Sequence, residues 1–293
     1  MPTELLKVDH VSRHFGSHKA VDQVSFTLFE GEIFGLVGES GSGKTTLGRC
    51  IMGLYPLSGG SLLFRGHSLT GGARKPSIAH RRSGNSSPIQ MIFQDPMGSL
   101  DPRMTVGESI AEGLIIRGLK DRAAIGQKVA QMLELVGLPP SYQGRYPHEF
   151  SGGQRQRIGI ARAIVMEPQL LIADEAVSAL DVSVQAQVVN LLLDLREKMD
   201  LSILFIAHDL AVVKHICDRV AVMHLGRIVE LAPAEELFAR PLHPYTKSLL
   251  SAIPVPDPRA QRLRQQIPYE AGQNPYPGEL REVSAGHWLL SAE

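Results

Sequence analysis

The sequence predicts an α/β fold, a sheet covered on both faces and interrupted by a block of helices, and three patterns predict it. Ile33-Phe34-Gly35-Leu36-Val37, Leu170-Leu171-Ile172-Ala173 and Ile203-Leu204-Phe205-Ile206-Ala207 are continuous apolar runs, as strands buried on both faces require. Val184, Val188, Leu191, Leu192 and Leu195 share one helical face between the last two runs, and strand, helix, strand implies a parallel crossover. From residue 103 to 166 the period becomes helical, with Ile125, Val129, Met132, Leu133 and Val136 on one face, which marks an inserted helical segment.

The remaining elements follow in order. Residues 21–29 and Leu62-Leu63-Phe64 read as further strands, because β-branched and aromatic residues there are bounded by glycine. Residues 66–88 shift to Gly, Ser and Arg and read as a solvated connection. Residues 88–94 restore a strand ending at Phe93-Gln94. Residues 220–223 and 228–229 flank Leu225-Gly226-Arg227 as a hairpin-like pair, and residues 235–239 suit a short helix. Beyond Pro254 the chain is proline-rich and weakly periodic, which reads as an extended or only partly ordered tail.

Composition narrows the function. With 293 residues, 43% of them apolar, the chain is long enough for about two structural units. Lys plus Arg and Asp plus Glu number 30 each, so there is no basic surplus of the kind that binds nucleic acid. Two cysteines, Cys50 and Cys217, make neither a disulfide framework nor a paired metal motif, which favours a reducing compartment and buried thiols. No apolar run reaches the ~18 residues of a membrane span, and residues 1–7 carry no signal core. The expectation is a protein that neither crosses a membrane nor is exported.

Gly38-Glu39-Ser40-Gly41-Ser42-Gly43-Lys44-Thr45 fits the pattern G-x-x-x-x-G-K-[ST] between an apolar strand and a helical stretch. Glycines let successive N–H groups turn toward a phosphate, the helix N-terminus adds positive potential, Lys44 neutralises phosphate oxygens and Thr45 offers a hydroxyl to Mg²⁺. Asp174-Glu175 ends the apolar run before it. There an Asp can hold Mg²⁺ while its neighbour polarises an attacking water. Gln94 and His208 also end apolar runs, and Ser151-Gly152-Gly153-Gln154 opens a helix with Ser151 at its N-cap, a second anion-binding terminus.

Through these motifs the sequence resembles the nucleotide-binding subunits of ABC transporters over residues 3–255: a Walker A loop from Gly38 through Lys44, Thr45 and Thr46, a Walker B segment at 170–175, and the signature Phe150-Ser151-Gly152-Gly153-Gln154. In that likeness Phe15 is the adenine-stacking aromatic, Gln94 the Q-loop, Ser178-Ala179-Leu180-Asp181 the D-loop and His208 the switch histidine. The resemblance implies a P-loop NTPase (RecA-like) core in residues 1–94 and 167–232, with an antiparallel β subdomain, a helical subdomain in 95–166 and a C-terminal extension in 233–293. Phe93-Gln94-Asp95-Pro96, Ser99-Leu100-Asp101-Pro102, Asp181-Val182-Ser183-Val184-Gln185 and Pro241-Leu242-His243-Pro244-Tyr245-Thr246 are similar to the dipeptide, oligopeptide and nickel importer branch.

That branch implies an ATPase on the cytoplasmic face of the membrane, working with a second ATP-binding subunit, identical or paralogous, two permease subunits and an extracytoplasmic solute-binding protein, with the segment after Gln94 facing the permease. It assigns Glu175 to water activation, Thr45, Gln94 and Asp174 to Mg²⁺, His208 to the γ-phosphate, and residues 151–154 to ATP held by the opposite subunit. Peptide is the expected cargo, with nickel, glutathione and opine-like conjugates as alternatives. A soluble ABC ATPase of DNA or ribosomes is the competing class, against which stand the lack of sustained heptads between Gln94 and Ser151 and the single set of motifs. Two departures stand out. No cysteine follows Cys217, although many relatives carry a cysteine-ligated iron–sulfur site in the tail, so no cluster is expected. Ala176 replaces the proline common after the Walker B glutamate, which puts the rigidity of that turn in question.

Overall fold

The computed structural model describes residues 2–69, 88–178, 180–252, 267–269 and 278–291. Most of the expected solvated connection, Ala179 and most of the proline-rich tail lie outside them. The chain builds two compact units, one from Glu4–Leu28, Glu32–Ser68 and Phe205–Glu293, the other centred on Leu69–Leu204. It opens with β1 (Glu4–Phe15), β2 (His18–Phe29), β3 (Ile33–Val37), α1 (Lys44–Ile51), β4 (Gly59–Phe64) and β5 (His67–Ser68). The second unit carries β6 (Ile89–Ile92), α2 (Pro96–Ser99), α3 (Val106–Ile116), α4 (Arg122–Leu135), α5 (Gly152–Ile164), β7 (Leu170–Asp174) and α6 (Val182–Met199). In β8 (Ser202–Ala207) the chain returns to the first unit, which adds α7 (Leu210–Ile216), β9 (Arg219–His224), β10 (Arg227–Pro233), α8 (Ala234–Ala239), α9 (Pro244–Ser251), β11 (Glu279–Ser284) and β12 (His287–Ser291).

In the first unit, β2, β1, β4 and β5 form an antiparallel-type sheet in that order, with β4 antiparallel to both β1 and β5. A second set of strands runs β11, β12, β10, β9, β3, and only β3 with β9 is a parallel pair. All five residues of β3 are buried. Its Gly35 leaves room for Cys217, whose Sγ would stand 2.9 Å from an added Cβ. Both thiols are free and buried, as their lack of pattern suggests. The β9–β10 hairpin turns on Leu225 and Gly226, both at positive φ (46° and 83°), the turn whose twist matches flanking strands.

In the second unit β6 runs parallel to β7. β6 ends at Ile92, so Phe93 and Gln94 lie past the strand rather than closing it. The helices are locally determined. Thr105 caps α3 in a reciprocal box with Glu108, Asp121 caps α4, and Ser151 caps α5. Val129, Met132 and Leu133 of α4 point inward, and Arg162 of α5 ties the helices together by donating to Ser99 O at 2.6 Å and Glu112 Oε2 at 2.8 Å.

Candidate functional site

The glycine-rich turn between β3 and α1 is closed by its own backbone and by the β9–β10 turn. Ser42 N–H donates to Glu39 O at 3.2 Å, Leu47 N–H to Gly43 O at 2.9 Å, and Gly226 N–H to Ser42 O at 3.0 Å. Gly38, Gly41 and Gly43 hold φ of 151°, 82° and 104°. Added Cβ atoms at Gly38 and Gly43 would lie 2.0 Å from Met223 O and 2.1 Å from Ala20 O, so glycine is required there for approach as well as for φ. Lys44 is 4% exposed, and its Nζ donates to Gly38 O at 2.7 Å, Glu39 O at 2.8 Å and Ser42 Oγ at 3.3 Å. The ammonium is thus fixed on oxygens of the loop that precedes it. Thr45 and Thr46 follow in the first turn of α1, both half-buried.

Phe15 ends β1 and is 42% exposed. Tyr55 meets it edge-on with centroids 5.5 Å apart, and the Arg13 guanidinium lies 4.4 Å from its ring centre. This leaves aromatic surface open for stacking. His208 follows β8 directly and is exposed.

In the second unit, Asp174 closes β7 at 1% exposure, and Glu175, half-buried, follows at a φ of 47°. That left-handed conformation turns its side chain away from the strand direction. Gln94 Nε2 donates to Glu175 Oε2 at 2.7 Å, so these two predicted residues are in direct contact. The turn after Glu175 is held despite Ala176: Ser178 N–H and Oγ–H both donate to Glu175 O, at 3.1 and 3.0 Å, and Gln185 Nε2 donates to Val177 O at 2.9 Å. Ala176 and Val177 are buried. At the start of α5, Ser151 Oγ accepts from Gln154 N–H at 3.3 Å and Gln154 Oε1 from Ser151 N–H at 3.0 Å. Gly153 sits where a Cβ would meet Val184 Cγ1 at 2.4 Å.

The ABC transporter family model matches residues 21–178, more than half of the 293. The chain belongs to the ABC transporter family. A second model, the C-terminal region of oligopeptide and dipeptide transporters, matches residues 229–279 of this cassette. The oligopeptide transport ATP-binding protein OppF of Bacillus subtilis is 52% identical over 303 residues, covering 100% of the cassette and 98% of the relative. The dipeptide transport ATP-binding protein DppF of Lactococcus lactis is 51% identical over 283 residues, covering 95% and 89%. Among solved structures, cbiO1 of Clostridium perfringens, part of the ABC transporter complex cbiONQ, superimposes with a TM-score of 0.73 at 27% identity, covering 89% of the cassette and 98% of that chain. The fold is that of P-loop NTPase cassettes, as expected.

Two residues that touch this machinery have no motif to announce them. Gln185 of α6 holds the turn after Glu175. Tyr245, in the first turn of α9, accepts the Glu39 N–H at 3.1 Å. Gln185 was visible only as part of a run shared with the importer branch, and Tyr245 only as the tyrosine of its His-Pro-Tyr segment.

Proposed function

We propose that this chain is the ATP-hydrolysing subunit of an importer for di- or oligopeptides, bound peripherally at the cytoplasmic face of the membrane. Its partners in this reading are a second ATP-binding subunit, identical or paralogous, two permease subunits and an extracytoplasmic solute-binding protein. The observation that carries the reading is the loop at 38–45, in which a buried lysine is fixed on the loop's own carbonyls and no side chain caps the start of α1. The peptide cargo is supported by the match at 229–279 and by relatives named for oligopeptide and dipeptide transport. Among the described residues no helix is long and apolar enough to cross a membrane, which suits a subunit that relies on permease partners.

In the proposed mechanism Phe15 stacks on adenine, residues 38–46 enclose the phosphates, and Lys44 offsets their charge. Residues 151–154 act on ATP held by the opposite subunit, where the positive end of the α5 helix suits an anion. Glu175 polarises the attacking water and His208 contacts the γ-phosphate. Gln94, whose amide nitrogen donates to Glu175, Thr45 and Asp174 are the residues assigned to Mg²⁺ by the family likeness, and an amide carbonyl, a hydroxyl and a carboxylate are the oxygen donors that such a hard cation takes. Mg²⁺ bound there would neutralise charge on the transferring phosphoryl group. We assign no iron–sulfur cluster, because both thiols are committed to packing and burial raises each pKa, that of Cys50 to about 11.

General-base assistance is worth roughly 10²- to 10⁴-fold, so Glu175→Gln should bind ATP about as well as the parent and hydrolyse it that much more slowly. Single-turnover hydrolysis beside equilibrium ATP binding checks this, and near-normal turnover would remove Glu175 from the role. Co-purification with permease subunits, followed by peptide binding to the cognate solute-binding protein, tests the transport assignment; a partner protein that bound nickel and no peptide would redirect it.

A further inference from the structure

The hydrogen bond from Glu39 to Tyr245 falls on one particular peptide. Its N–H belongs to Glu39 and points at Tyr245 Oη, 3.1 Å away. Its carbonyl belongs to Gly38 and accepts from Lys44 Nζ at 2.7 Å. A trans peptide is planar, with N–H and C=O on opposite sides, so a partner on one side sets where the other side points. Gly38 has no side chain to resist rotation of this plane, and its φ of 151° is open to few residues other than glycine. Tyr245 and Lys44 therefore grip one rigid group from its two ends.

Tyr245 is itself held too firmly to follow the loop. It is 2% exposed, and its ring stacks on His224 with centroids 4.0 Å apart and planes 25° apart. Its backbone N–H donates to His243 Nδ1 at 3.1 Å. Two residues before Tyr245, His243 N–H donates to Glu230 Oε2 at 3.0 Å, and Leu242 N–H donates to Glu230 Oε1 at 2.7 Å. Glu230 is fully buried and also meets His287 Nε2 of β12 at 2.8 Å. Burial pushes the Tyr245 hydroxyl up to about 12, so it stays a neutral phenol at physiological pH and its oxygen remains a hydrogen-bond acceptor. β9 supplies both His224 under the ring and the Met223 carbonyl against Gly38, so the loop and its brace share one strand.

We propose that Tyr245 is a positioning residue of the phosphate-binding loop: by accepting the Glu39 N–H it fixes the Gly38–Glu39 peptide with its carbonyl on Lys44, and so makes the C-terminal region part of the nucleotide-binding machinery. The inference rests on residues 38–45 being that loop. It gives the region matched at 229–279 a task inside the cassette itself, separate from any contact with permease or cargo.

Tyr245→Phe keeps the ring and its stacking and removes only the acceptor. In the full-length chain its affinity for ATP and ADP should fall about 3- to 10-fold, the worth of one hydrogen bond, with the change appearing in KM more than in kcat. Hydrogen exchange in the nucleotide-free chain should show faster exchange at Glu39, while the Leu242 and His243 amides keep their protection. Lys44→Ala serves as the reference. If Lys44→Ala loses nucleotide and Tyr245→Phe does not, the loop reading stands and the brace is wrong. If Lys44→Ala also binds normally, the loop reading falls and the brace with it. Loss of protection at Leu242 and His243 together with Glu39 would make Tyr245 an ordinary packing residue and overturn the proposal.

Discussion

At Gly41 and Gly43 the same residue type carries two different physical burdens. Gly41 holds φ 82° with no atom within 4 Å of an added Cβ, whereas Gly43 holds φ 104° with the Ala20 carbonyl at 2.1 Å. Gly41→Ala therefore meets only the left-handed penalty, about 1–2 kcal/mol. Gly43→Ala adds overpacking against a backbone carbonyl, worth about 1–3 kcal/mol more, at the N-cap of α1. Urea unfolding should rank Gly43→Ala as clearly less stable than Gly41→Ala, and ATP binding should fall in the same order; equal losses would mean that the Ala20 contact yields freely. The glycine pattern was legible in the sequence because the spacing is local. What makes each glycine necessary was not, since Ala20 and Met223 reach the loop from distant strands. Tyr245 was hidden for the same reason: it lies more than two hundred residues along the chain from the amide it accepts.

Among the elements, the buried runs were the easiest to read. Ile33–Val37 is a strand over the whole apolar run, and α5 begins at the Gly152 that follows its predicted Ser151 cap. The β11–β12 hairpin was not legible, because β11 is exposed along almost its whole length and its charged sequence shows no alternation. Its fixed point is His287, 1% exposed, which stands between Glu230 Oε1 at 2.8 Å and Glu236 Oε1 at 2.9 Å. A histidine in a proline-rich tail carries no pattern that foretells two carboxylates around it. His287→Ala would strip a buried carboxylate of one partner, an expected loss of about 1–3 kcal/mol, while Glu230 keeps its two backbone donors. Denaturant unfolding measures the loss, and hydrogen exchange over residues 279–291 should rise with it. A variant as stable as the parent would show that the hairpin is anchored by its strand pairing alone.

For the whole molecule, a chain with equal numbers of acids and bases can still present strong local potentials, since Lys44 and two helix N-termini need no basic surface around them. The composition carried no sign of these local potentials, and it was silent on pH, which depends on burial. His243 and His224 both have their pKa lowered from 6.5, chiefly by burial; Glu230 opposes this at His243 while His224 adds to it, and Glu39 opposes it at His224. Tyr245 and Tyr269 are the neighbouring rings. In the folded chain these imidazoles stay neutral at a pH where the unfolded chain has begun to take up protons, so the unfolded state binds more protons and stability rises with pH through this window. Their contribution is complete above 6.5 and is lost as pH falls below it, at no more than about 1.4 kcal/mol per pH unit for His243. The Glu236 carboxyl, held below 4.5 first by its hydrogen bond to His287, fails only in a more acidic window. Melting temperature should therefore fall between about pH 6.5 and pH 5.5 in the parent chain. His243→Asn keeps a side chain able to cap α9 but removes the titrating ring, so its melting temperature should fall less over the same interval. Parallel slopes for the two proteins would exclude His243 as the source of the acid sensitivity.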